Sequence, residues 1–113
     1  MSEAMIDRAT FEGLTELVGD DFIGELVETF FEEAPGLLAE MEQALDGNDA
    51  DSFRRAAHSL KSNGNSFGAT RLAGLARELE TLGRDGRLEE AGPRMPQLQS
   101  TYEETAQALK ALL

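Results

Sequence analysis

The sequence predicts an all-α chain, an antiparallel up-down-up-down four-helix bundle with a short extra N-terminal helix. Three observations predict it. Apolar residues recur at three- and four-residue steps nearly everywhere, and no segment sustains the period-two alternation of a strand. Short connections rich in Gly, Asn and Asp separate these segments, which favours antiparallel neighbours. The 113 residues are 41% apolar, enough for one domain with a modest core, and no repeat, low-complexity tract or linker divides residues 1–113.

The first helix is expected from about Arg8 to Val18, with Asp7 as N-cap and Gly19 as its stop. Asp20 is expected to cap a long second helix, Asp21 to Asp46, of roughly 39 Å. It carries one wide apolar stripe: Ile23, Leu26, Val27, Phe30, Phe31, Leu37, Leu38, Met41 and Leu45. Pro35 lies inside that stripe and is expected to bend or divide the helix, because it removes a ladder donor. Asp49 or Asp51 caps a third helix running to about Phe67, with Phe53, Ala57, Leu60, Gly64 and Phe67 inward. Gly68 breaks it. A fourth helix is expected from about Thr70 to Leu82, with Leu72, Leu75, Ala76, Leu79 and Leu82 inside and turn signals at Gly83, Asp85 and Gly86. Gly92, Pro93 and Pro96 interrupt the approach to the last helix. From Met95 onward its stripe reads Leu98, Tyr102, Ala106, Leu109 and Leu112 or Leu113.

Composition removes most chemistries. With 22 acidic and 10 basic side chains the net charge is −12, so phosphates of nucleic acids or anionic membranes would be repelled. The absence of cysteine excludes disulfides, thiolate zinc sites and Cys nucleophiles, and a single histidine excludes multi-His metal sites. No apolar run approaches the ~20 residues of a membrane span. MSEAMIDRAT has neither the basic start nor the apolar stretch of a signal peptide. The expectation is a soluble, cytoplasmic, free-standing domain without a metal or cofactor.

Function is therefore sought around His58. With Phe53, Leu60 and Phe67 inward, a turn of about 100° per residue directs His58 toward water or the flank of the bundle. Arg54, Arg55, Lys61, Ser62 and Asn65 share its face, so a very acidic chain surrounds its one imidazole with cations. That pattern suits a nucleophilic imidazole accepting a phosphoryl group. An imidazole attacks phosphorus in its neutral form, which the unperturbed side chain, with a reference value of ~6.5, populates well near pH 7, and phosphoryl transfer is mostly positioning and electrostatics. Lys61 is placed to reach the phosphoryl oxygens. Arg54 and Arg55 could do the same or hold an acidic partner, and Ser62 and Asn65 offer hydrogen-bond partners. The same residues also read as an ordinary solvated helix face. Pairs such as Glu32/Glu33 and Glu89/Glu90 are adjacent on helices, diverge, and read as solvated charge.

The stretch from Ala57 to Ala69, AHSLKSNGNSFGA, resembles the signature of histidine-containing phosphotransfer (HPt) domains: His58, then Lys61, small residues, Phe67, and the pair Gly68-Ala69. Leu79-Glu80 on the fourth helix and the long second helix with Phe30 and Pro35 extend the resemblance over essentially the whole chain. It implies that His58 is phosphorylated at Nε2 and that Lys61 helps hold the phosphoryl oxygens. The group would come from the aspartate of one receiver domain and leave to another. The implied partners are response-regulator receiver domains and/or a hybrid histidine kinase, with any Mg2+ brought by the receivers and an interface below about 1,200 Å². Ser62 departs from the family's usual Gly after the Lys, which bears on partner docking.

The chain has no glycine-rich nucleotide loop, so it is expected not to be its own kinase. The expected function is a monomeric phosphocarrier. The rivals are a phosphorylation-independent adaptor that binds a receiver or kinase, and a self-associating structural bundle.

Overall fold

The computed structural model describes residues 5–113. The reading of the N-terminus as free of a signal peptide rests partly on residues 1–4, which lie outside the described residues. Six helices follow in order: α1 (Arg8–Val18), α2 (Asp20–Asp46), α3 (Ala50–Ser66), α4 (Thr70–Arg84), α5 (Leu88–Ala91) and, after a 3-10 turn at Gly92–Arg94, α6 (Met95–Leu112). Helix α2 packs on α3, α3 on α4, α4 on α6 and α6 back on α2, while α1 lies against α2 and α3. This is the expected four-helix bundle with a short helix added at the N-terminal end. Its longest dimension is 42 Å, matching the span of the 27-residue α2 at ~1.5 Å per residue.

Phe30 centres one end of the core, with ring centroids 5.3 Å from Phe67, 5.8 Å from Tyr102 and 6.2 Å from Phe31. Phe53, Met41, Leu60, Leu72, Leu79, Leu98 and Leu109 fill the rest. Leu26, Phe31, Leu37, Leu45, Leu75 and Leu82 pack only partly against this core, and small residues take the inner places: Ala34, Ala44, Ala56, Ala57 and Ala76 are buried. On α6 the inward register differs from the expected one. Thr101 and Thr105 are buried, whereas Tyr102 and Ala106 sit at the edge and Leu113 is exposed. The Thr105 hydroxyl donates to the Thr101 carbonyl at 2.7 Å, so a threonine is accommodated there without an orphan polar atom.

Several helix ends also differ in detail. Asp7 occupies the N-cap position of α1, but its carboxylate accepts the Thr10 hydroxyl rather than a backbone amide. Asp20 does not cap α2. It lies in the first turn beside Asp21, where both carboxylates meet the positive end of the helix. Asp49, not Asp51, caps α3 by accepting the Ser52 amide at 3.1 Å and its hydroxyl at 2.7 Å. Helix α2 runs undivided through Pro35, which faces outward. Pro93 and Pro96 fall at the starts of the 3-10 turn and α6, where their missing donors cost nothing.

Two glycines hold the site-bearing helices in place. Gly68 ends α3 with φ +77°, Ala69 N–H donating to Gly64 O at 2.8 Å and Gly68 N–H to Asn65 O at 3.1 Å. Its carbonyl accepts the Asp7 amide at 2.7 Å, so the segment before α1 is tied to the α3–α4 turn. Gly83, expected to lie past the end of α4, is inside it and buried. A Cβ there would stand 3.1 Å from Phe53 Cδ2 and 3.2 Å from Arg54 Cα, so its absence permits the close approach of α4 to α3.

Candidate functional site

His58 emerges from α3 with Ala57 and Leu60 buried on either side, and its own side chain is 54% exposed. The ring is anchored at one nitrogen. Nδ1 lies 2.8 Å from Oε2 of Glu80 on α4, and the other carboxylate oxygen, Oε1, lies 2.8 Å from Lys61 Nζ. Arg84, one turn beyond Glu80, places Nη2 at 3.6 Å from Oε2. Glu80 is only 4% exposed, and its carboxylate is thus a buried anion shared by a histidine and two cations.

Burial acts to raise the Glu80 pKa. Hydrogen bonds from Lys61 and His58, with the Lys61 charge, outweigh it and hold the carboxyl below its ordinary value. An ionised Glu80 offers only acceptors, so the hydrogen bond requires a proton on His58 Nδ1. In the neutral ring the lone pair then resides on Nε2, which has no protein partner among the described residues.

The expected site residues are only partly brought together. Lys61 is joined to His58 through Glu80. Ser62 is exposed and lines the open groove between α2 and α3 that runs beside His58. Asn65 is exposed one turn farther on. Arg54 and Arg55 turn the other way: both pair with Asp51, at 2.9 and 3.2 Å, and neither meets the imidazole. Glu80 and Arg84 lie on another helix and were not foreseen as site residues. Glu80 did carry a signal, since it continues the buried 73–76–80–83 steps of α4, where a charge is unexpected. Glu32 and Glu33 are exposed, as expected of solvated charge, and both also line the His58 groove, as do Gly36, Leu37 and Glu40.

The family model for the Hpt domain matches residues 25–108. The chain belongs to the Hpt domain family. It is 28% identical over 89 residues to multistep phosphorelay regulator 1 of Schizosaccharomyces pombe, covering 73% of this chain and 30% of that protein. It is 29% identical over 82 residues to the phosphorelay protein LuxU of Vibrio vulnificus, covering 73% of this chain and 71% of LuxU. The crystal structure of histidine-containing phosphotransfer protein B (HptB) from Pseudomonas aeruginosa PAO1 superposes with a TM-score of 0.91 at 29% identity, over 97% of this chain and 95% of that one. The chain thus spans less than a third of its fission-yeast relative and about seven tenths of LuxU. No helix among the described residues is long and apolar enough to cross a membrane.

Proposed function

We propose that this chain is a histidine phosphocarrier of a phosphorelay, and that His58 Nε2 is the atom that carries the phosphoryl group. The observation that bears most weight is the Glu80 carboxylate on His58 Nδ1, which leaves the lone pair on Nε2 of a half-exposed ring. The family and the phosphorelay relatives support the same reading.

In the forward step Nε2 attacks the phosphorus of an aspartyl phosphate on a partner receiver domain. An N–P bond forms, the acyl phosphate P–O bond breaks, and the partner's carboxylate leaves with the electron pair. The ring keeps its Nδ1 proton and becomes cationic as the N–P bond forms, and the Glu80 carboxylate stabilises that charge in a partly buried setting. Lys61 lies one turn along from His58 and can leave Glu80 Oε1 for the phosphoryl oxygens, which carry the negative charge of the transfer. Arg84 is a second cation within reach of the same region. Ser62 and Asn65 remain candidate hydrogen-bond partners at the rim; Arg54 and Arg55, held on Asp51, are assigned to partner contact rather than to the phosphoryl group. A second receiver reverses the chemistry and takes the group away.

In this reading the phosphoryl group is drawn from a partner, not from ATP. The partners are response-regulator receivers, free or within a hybrid histidine kinase, and the carrier acts as a monomeric single domain in the cytoplasm. The test is transfer from a panel of phosphorylated receivers, read by intact mass with His58→Gln as control. One acid-labile, base-stable phosphoryl group, absent from the variant, is expected. Receivers that bind both proteins without transferring phosphate would replace the carrier with an adaptor.

A further inference from the structure

The groove beside His58 has an acidic wall, and a pair of cations stands outside the groove, across the imidazole from that wall. On the α2 side stand Glu32, Glu33 and Glu40, all exposed and none ion-paired among the described residues. On the far side of the imidazole, Lys61 and Arg84 converge on Glu80. Between them the floor is small and low, formed by Gly36 and Leu37 of α2 and by Ser59 and Ser62 of α3. Glu40 and Ser59 also line the next stretch of the furrow, where Gln43 and Ala44 follow on α2 and Arg55 faces them from α3, so the acidic wall ends at Glu40 beside the nucleophile.

We propose that this two-signed surface selects among receivers: the cognate receiver carries lysine or arginine beside its acidic pocket, and these seat against Glu32, Glu33 and Glu40. The proposal rests on the phosphocarrier reading and adds the chemistry of the partner. A receiver must bring an anionic aspartyl phosphate to Nε2. Lys61 and Arg84 offset that charge locally, but the chain as a whole carries −12 and the α2 wall adjoins the same groove. A receiver with an acidic flank is repelled at the α2 wall, and one with a neutral flank gains nothing there. A receiver with a basic flank is attracted to the α2 wall while its anionic pocket faces Lys61 and Arg84. Rim charges of this kind govern encounter rate and partner choice more than the strength of a formed complex, and they act within about 10 Å at moderate salt.

The test compares the full chain with a Glu32→Gln/Glu33→Gln/Glu40→Gln variant, whose three positions are exposed and leave the core untouched. Transfer rates are measured from phosphorylated receivers sorted by the charge flanking their aspartate, at low and at moderate salt. Phosphoramidate, a small donor that needs no docking, measures the chemistry of His58 separately. Basic-flanked receivers are expected to be the fastest donors to the wild type. The variant is expected to lose about tenfold in their transfer rate, with a flatter salt dependence. Loading by phosphoramidate should be unchanged. Equal rates for wild type and variant, or faster transfer to the variant across the panel, would overturn the proposal. If neither phosphoramidate nor any receiver labels wild-type His58, the carrier reading falls and the selection proposal falls with it. If phosphoramidate labels His58 while receiver preference ignores flanking charge, only the selection proposal is lost.

Discussion

His58 and Glu80 stand 22 residues apart in the chain, and Nδ1 of the first lies 2.8 Å from a carboxylate oxygen of the second. One partner is more than half exposed and the other is buried. The buried carboxylate is the fixed element: Lys61 holds its second oxygen, so its orientation is set before the imidazole is considered. A buried charge is tolerated only when its partners satisfy it, and here those partners are the proposed nucleophile and the cation proposed to serve it.

Removing Glu80 should therefore act on the ring rather than on the fold alone. Glu80→Ala is expected to slow phosphoryl transfer about tenfold, equivalent to ~1.4 kcal/mol in the barrier. Glu80→Gln, which keeps an acceptor but loses the charge, should fall between. The chain has one histidine, so nitrogen NMR reads the tautomer without overlap. The Nδ1–H form should dominate in wild type and give way to a mixture in Glu80→Ala. An unchanged tautomer ratio would assign Glu80 a purely structural role.

Acid should weaken the fold through the same carboxylate. Glu80 has its pKa held below the ordinary 4.5, so in the unfolded chain it takes up a proton at higher pH than in the folded one. Its contribution is then fully present above about pH 4.5 and is lost as pH falls through the lower folded value. Denaturant titrations of wild type and Glu80→Gln should show a stability gap at neutral pH that narrows below pH 4.5. A gap that widens in acid would contradict the sign.

Gly68→Ala should be costly although it lies well away from the imidazole. The position has φ +77°, and an added Cβ would stand 2.7 Å from the Asp7 carbonyl oxygen and 3.0 Å from Thr10 Cβ. Strain of that kind costs about 2 kcal/mol, which lowers Tm on the order of 10 °C for a domain of this size. Calorimetry checks it, and phosphoramidate loading well below Tm should persist because His58 and Glu80 are untouched.

The two acidic N-caps should respond differently to truncation. Asp49→Ala removes an acceptor from the Ser52 amide and should lower the urea midpoint measurably. Asp7→Ala removes only a contact with the Thr10 hydroxyl at an exposed position and should shift that midpoint less. Equal losses in urea titrations would mean that the Asp7 carboxylate does cap the helix in solution.

Much of this molecule was legible along the chain. The stripe from Ile23 to Met41 marked α2, and Gly68 marked the end of α3, because helices are made of contacts three and four residues apart. The shared face of His58 and Lys61 followed from the same arithmetic. What depended on burial depth was less legible: Thr101 and Thr105 took inward places expected of Tyr102 and Ala106, since a threonine can return its hydroxyl to its own helix.

By itself, then, the sequence determined the all-helical fold, the spans of α1, α2 and α3 to within a residue, and the face that carries His58, all of them consequences of local hydrogen bonding and of a 3.6-residue period. Only the tertiary structure decided that Glu80 reaches His58, that Arg54 and Arg55 turn away to Asp51, and that Glu32, Glu33 and Glu40 wall the groove. Those relations depend on the spacing and rotation of α3 against α2 and α4. Gly83, Phe53 and the buried alanines set that spacing through close packing, and no local periodicity encodes it.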